Sequence, residues 1–103
     1  MDKATALKIA RKYAQEVVKE MSPDKVLLFG SYAKGGAKDE SDIDIAVIFD
    51  GFQGDWFYTC TTLSNLTWNI STYIEPVLLD ARDDQSGFVE EVLKTGEVVY
   101  QSA

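Results

Sequence analysis

The chain has 103 residues, 46% of them hydrophobic, enough for one modest core and too few for two, so a single domain over residues 1–103 is expected, with no separate domain for a second substrate. A formal net charge of −7 excludes long polynucleotides as direct partners, because gripping their phosphates needs clustered Lys and Arg. Histidine is absent, so catalysis must rest on carboxylates, hydroxyls, lysines or backbone groups, which favours hard-metal chemistry.

Cys60 is the single cysteine, which rules out an internal disulfide. Met1 leads into a charged helical stretch, without the apolar core of a signal peptide, and the longest apolar runs fall far below the roughly 20 residues of a membrane span. A cytoplasmic protein with no membrane contact is expected.

In chain order, Ala6, Ile9, Ala10, Tyr13, Val17 and Met21 recur at helical spacing, which predicts an amphipathic helix over 3–21 with Asp2 as its cap. Ser22-Pro23-Asp24 breaks it, and the apolar run 25–29 reads as a buried strand. A helical turn over 31–34, ended by Gly35-Gly36, and a second strand over 42–49 follow. Residues 55–70 carry mixed signals: Trp56, Phe57, Tyr58 and the threonines suit a strand, whereas the length and the Leu63, Leu66, Ile70 spacing select a helix. A third strand over 72–79, a helix over 87–95 capped by Ser86, and a last strand over 97–100 complete the chain. The fold class is α/β (α+β), a small mixed sheet with helices mainly on one face.

The stretch FGSYAKGGAKDESDIDIAVIF, residues 29–49, carries the chemistry. Side chains alternate across a strand, so Asp42 and Asp44 share one face while Ile43, Ile45, Val47 and Phe49 line the other, ready to pack under helices. Two carboxylates held this close repel, and a hard cation such as Mg²⁺, which keeps waters and phosphate oxygens in its shell, relieves them. Gly30-Ser31 stands where a strand meets a helical turn: free backbone amides favour an anion there, glycine allows close approach, and the hydroxyl adds a donor. The two features together suit a metal-bound triphosphate.

Other phosphate and metal motifs fail on particular residues. A P-loop would need Lys-Ser/Thr after its second glycine, but Gly35 is followed by Gly36-Ala37. An EF-hand begun at Asp42 would place Ile48 and Phe49 among its ligand positions. Phosphatases with an Asp-x-Asp pair at a strand end have the apolar run before the acids, whereas here it follows them.

At Gly30-Ser31-Tyr32-Ala33-Lys34-Gly35 and Ser41-Asp42-Ile43-Asp44-Ile45-Ala46-Val47 the sequence resembles the polymerase-β-like nucleotidyltransferase superfamily, most closely its minimal nucleotidyltransferase branch. The order of elements looks like that fold over nearly the whole chain. The resemblance implies that Asp42 and Asp44 bind two Mg²⁺ ions, with Mn²⁺ as a substitute, and that Gly30 and Ser31 hold the β- and γ-phosphates of a nucleoside triphosphate such as ATP. It also implies a third, catalytic carboxylate on a later strand that completes the metal site beside the attacking hydroxyl. Glu75 fits that position, because an acid in the otherwise apolar run Tyr73-Ile74-Glu75-Pro76-Val77 needs a reason. The family often has aspartate there, and Pro76, lacking a ladder donor, is expected to loosen the strand.

The resemblance further implies transfer of AMP to a hydroxyl, with a tyrosine of a helical HEPN-type toxin as acceptor and this chain as the antitoxin. Two other readings stay open: a binding module that neutralises a toxin without chemistry, and a small-molecule nucleotidyltransferase resembling aminoglycoside-modifying enzymes, its acceptor pocket formed in a homo-oligomer. Lys34 and Lys38 read as solvating the turn. Trp56, Phe57, Tyr58, Trp68 and Tyr73 are expected to serve core packing over base stacking, with a partner surface open to some of them, and Asp39, Glu40, Asp80, Asp83 and Asp84 are expected to be ordinary solvated charges.

Overall fold

The computed structural model describes residues 1–38 and 40–103; Asp39, read above as a solvated charge, lies outside them. Helix α1 (Lys3–Glu20) starts at Asp2, whose carboxylate accepts the Thr5 N–H at 2.8 Å. It buries Ala6, Ala10, Tyr13, Ala14 and Val17, the stripe that its periodicity predicts. The Tyr13 hydroxyl, sealed in the core, donates to the Leu63 carbonyl at 2.5 Å and so ties α1 to a later helix.

The remaining elements are β1 (Lys25–Phe29), α2 (Ser31–Lys34), β2 (Ile43–Phe49), α3 (Trp56–Leu66), β3 (Ile74–Asp80), α4 (Phe88–Thr95) and β4 (Glu97–Gln101). The strands form one mixed sheet in the order β3-β2-β1-β4. β1 pairs antiparallel with both β2 and β4, and β2 pairs parallel with β3 across the α3 crossover.

Alternation divides β2 between two cores. Ile43, Ile45 and Val47 face the main one, beneath α1 and α3, together with Val26, Leu28, Ile74 and Leu78. Ala46 and Ile48 face a smaller cluster in which Leu27 packs against Val89 and Val92 of α4. Helices therefore lie mainly on one face, while α4 covers the middle of the other and leaves its Asp44 end open.

Three local expectations change. α3 stops at Leu66 because residues 67–70 tighten into i→i−3 bonds, Trp68 to Asn65 and Ile70 to Thr67; within α3, Thr59, Thr61 and Thr62 turn their hydroxyls back onto the carbonyls four residues earlier, which gives those hydroxyls partners inside the helix. The first turn of α4 is held less by Ser86 than by Asp84, whose carboxylate accepts the Val89 and Glu90 amides at 2.8 and 3.0 Å; Asp80 likewise accepts from Gly51, Phe52 and Arg82, so neither acid is merely solvated. The aromatic residues are not core. Phe57, Tyr58 and Trp68 are 82%, 71% and 77% exposed, and Trp56 and Tyr73 also reach the surface. α3 turns a single stripe inward, with Leu63 buried and Cys60 and Leu66 beside it, which leaves Phe57 and Tyr58 on the opposite side.

Candidate active site

Asp44 and Glu75 are register partners on the parallel strands β2 and β3, so the roughly 4.8 Å strand spacing sets their side chains side by side on one face. Asp42 stands one residue ahead of β2, where the Ile43 amide already bonds the Tyr73 carbonyl at 2.8 Å. Partial burial, then the charges of Asp42 and Glu75, hold the Asp44 carboxyl above the ordinary aspartate range. Asp42 and Glu75 thus both come within electrostatic reach of Asp44, although Glu75 is remote from the two aspartates in sequence.

Nothing among the described residues neutralises them. Among the described residues, no cation pairs with Asp42, Asp44 or Glu75, and no donor reaches their carboxylates. Nor do they converge into a finished cage, since among the described residues no three His, Cys, Asp or Glu side chains stand close enough to hold an ion. Asp42 and Glu75 are exposed and free to turn. Uncompensated carboxylates on an open edge fit a hard divalent cation that takes a few protein oxygens and completes its shell with water and phosphate.

The turn after β1 shapes the same place. Gly30 sits at φ +74°, and a Cβ there would stand 2.2 Å from Asp44 Oδ2, so only a bare Cα lets the carboxylate lie against the backbone. The sequence marks Gly30 as a phosphate contact; its clearance for Asp44 comes from tertiary structure. Ser31 opens α2, whose first amides have no acceptor within so short a helix, and among the described residues its hydroxyl makes no hydrogen bond. Lys34 lies 3.9 Å from Glu91 of α4, an exposed pair that contributes little.

Pro76 does not loosen the site. β3 is an edge strand, and the bonds from Ile43 to Tyr73 and from Ala81 to Phe49 show that residues 75, 77 and 79 turn their amides toward β2. The position of Pro76 faces outward, where a missing N–H breaks no ladder bond and discourages pairing by another strand.

A cavity of about 530 Å³ lies elsewhere, around the far end of β3 between Phe52, Trp56, Leu79 and Phe88. Its carboxylates Asp80 and Asp84 are occupied in holding backbone amides, and none of the three clustered acids lines it.

The family model for the polymerase beta nucleotidyltransferase domain matches residues 11–103. The chain belongs to this nucleotidyltransferase family. A candidate protein adenylyltransferase from Methanocaldococcus jannaschii is 35% identical over 78 residues, spanning 74% of this chain and 77% of its own. Three solved structures share the nucleotidyltransferase's fold. A candidate nucleotidyltransferase from Sulfolobus solfataricus aligns at TM-score 0.71 and 24% identity over 96% of this chain and 83% of its own. A toxin–antitoxin with AMP-PNP aligns at 0.63 and 22%, and the toxin–antitoxin MntA–HpeT at 0.61 and 20%, each covering 89% of this chain and 73% of the other.

Proposed function

We propose that this nucleotidyltransferase is a Mg²⁺-dependent protein adenylyltransferase that moves AMP from ATP to a tyrosine hydroxyl of a helical HEPN-type toxin and so acts as its antitoxin in the cytoplasm. The observation that carries the reading is the register pairing of Asp44 with Glu75, beside Asp42, on an edge where no cation among the described residues pairs with them. The name of the Methanocaldococcus jannaschii relative supports AMP and a protein acceptor, and the toxin–antitoxin neighbours support the partner class. An open edge also suits an acceptor carried by a macromolecule better than one that must be enclosed.

Asp42, Asp44 and Glu75 are the residues that would hold the Mg²⁺ ions, or Mn²⁺, with Glu75 at the side from which the acceptor approaches. The close backbone at Gly30 and the Ser31 hydroxyl hold the β- and γ-phosphates. When bound, the metal supplies a lowered pKa at the attacking hydroxyl and charge compensation at the leaving group. The acceptor oxygen bonds to the α-phosphorus as the bond to the bridging oxygen breaks, pyrophosphate leaves, and Glu75 orients the hydroxyl and takes its proton.

Intact-mass spectrometry of the cognate HEPN-type protein, incubated with ATP, Mg²⁺ and a small amount of this chain, tests the reading. One AMP mass, or a short run of them, should appear on a tyrosine and an excess of toxin should be silenced. An unmodified toxin inhibited only at equal stoichiometry would leave a binding module in its place.

A further inference from the structure

Asp44 pairs with Phe29 in the antiparallel register of β1 and β2, so Phe29 projects from the same sheet face as the carboxylate, one strand away, and packs against the α4 cluster. On the other side, Asp44 pairs with Glu75 and Ala46 with Val77, which puts Glu75 and Val77 on that face as well. Past the acids, toward α4, the face therefore turns apolar. Phe88, the first residue of α4, meets Phe29 edge to face with ring centroids 5.8 Å apart. Ala46 is sealed, but Phe29 and Val77 are only half-buried and Phe88 is 40% exposed. The result is a partly open aromatic ledge on the face that carries Asp44 and Glu75.

Position and charge decide what the ledge can hold. Phosphates at Gly30 and Ser31, with metal at Asp42 and Asp44, leave the nucleoside end of the same molecule to extend from the acids, and the sheet itself bars the way to the main core. The first turn of α4 carries Glu90 and Glu91, and the amides of Phe88, Val89 and Glu90 already have acceptors in Ser86 and Asp84. The start of α4 thus repels phosphate and has no amide left to donate to it. A flat, uncharged heteroaromatic ring meets no such obstacle, and stacking on an aromatic side chain holds a base without reading its edges. Tyr73, two residues ahead of Glu75, stands beyond the acids from α4 and contacts no other aromatic ring among the described residues, so no ring orients it as Phe29 orients Phe88.

We infer that Phe88, braced by Phe29, is the platform on which the base of the bound nucleotide stacks, over Val77 and beside the acids. The inference rests on the nucleotide site proposed above and adds to it the residue that distinguishes a nucleoside triphosphate from bare triphosphate. A purine covers more of the ring than a pyrimidine does, so the platform favours ATP over CTP by size. Phe88 positions the base and takes no part in the transfer.

Calorimetry on the full chain with Mg²⁺-ATP, Mg²⁺-CTP and Mg²⁺-tripolyphosphate, with no acceptor protein present, tests this. Phe88→Ala should lower ATP affinity about tenfold or more, abolish the preference for ATP over CTP, and leave tripolyphosphate affinity within about twofold. Phe88→Leu, which keeps bulk against Phe29, should lose ATP selectively while melting near wild type, and Phe88→Tyr should bind ATP as wild type does. Unchanged ATP affinity in the folded Phe88→Leu variant, an equal loss of ATP and tripolyphosphate in it, or a selective loss in Tyr73→Ala alone would overturn the inference. A wild-type chain that binds ATP no better than tripolyphosphate would also overturn it and leave the metal and phosphate site standing. A wild-type chain that binds neither would remove that site, and the platform with it.

Discussion

The Cα of Gly30 lies so close to Asp44 that a methyl group on it would stand 2.2 Å from Oδ2. Gly30 therefore has two duties: it turns the chain from β1 into α2 at φ +74°, and it leaves room for a carboxylate on the neighbouring strand.

Gly30→Ala should fail on both counts. A side chain in this backbone region costs about 1–3 kcal/mol, so thermal unfolding should fall by at least 4 °C or so. Asp44 must also move, so Mg²⁺-ATP affinity should drop beyond what the stability loss explains. Calorimetry on the folded variant below its transition checks this; wild-type affinity there would mean that the contact has no bearing on the site.

Two aspartates should shape acid stability with opposite signs. Asp80, held below the ordinary value of 3.8 chiefly by its backbone hydrogen bonds to Arg82, Gly51 and Phe52, contributes stability that is complete above 3.8 and is lost as pH falls through its lowered folded pKa. Asp44, raised by burial and by the charges of Asp42 and Glu75, is destabilising while ionised, a penalty relieved as pH falls through its raised folded pKa toward 3.8. Without metal at pH 7, Asp44→Asn should melt above wild type and Asp80→Ala below it, and both differences should shrink in acid. Melting curves from pH 7 to 3 decide; an Asp44→Asn variant less stable than wild type at neutral pH would contradict the clustering of charge.

Glu75 is the residue whose role depends most on register. Glu75→Gln should keep Mg²⁺-ATP affinity within a few-fold while slowing AMP transfer by about 10²–10⁴, since an amide cannot accept the proton. Single-turnover transfer to the partner is the check, and an unchanged rate would return Glu75 to the role of a solvated edge residue.

Much of this was legible along the chain, because it follows from local periodicity. The i, i+2 placement of Asp42 and Asp44, the apolar stripe of α1 and the Gly30-Ser31 turn can be read without knowing what lies across the sheet. What pairs with what could not. The alignment of Glu75 with Asp44, and the outward-facing amide position that makes Pro76 harmless, depend on a parallel register set through the α3 crossover. Asp84 looked solvated because its partners, the amides of Val89 and Glu90, come within reach only after Gly87 takes a left-handed turn. The aromatic residues of α3 left core and surface both open for another reason: hydrophobicity marks a residue as fit for burial but does not say whether this chain or another covers it.

The central claim is that Asp42 and Asp44 form a metal-dependent nucleotide site, and calorimetry tests it most directly. ATP titrated into wild-type protein should bind with Mg²⁺ or Mn²⁺, lose at least tenfold in affinity when the metal is chelated, and bind no better with metal than without in Asp44→Asn. Equal affinity in chelator, or an Asp44→Asn variant that keeps its metal-dependent gain, would contradict it.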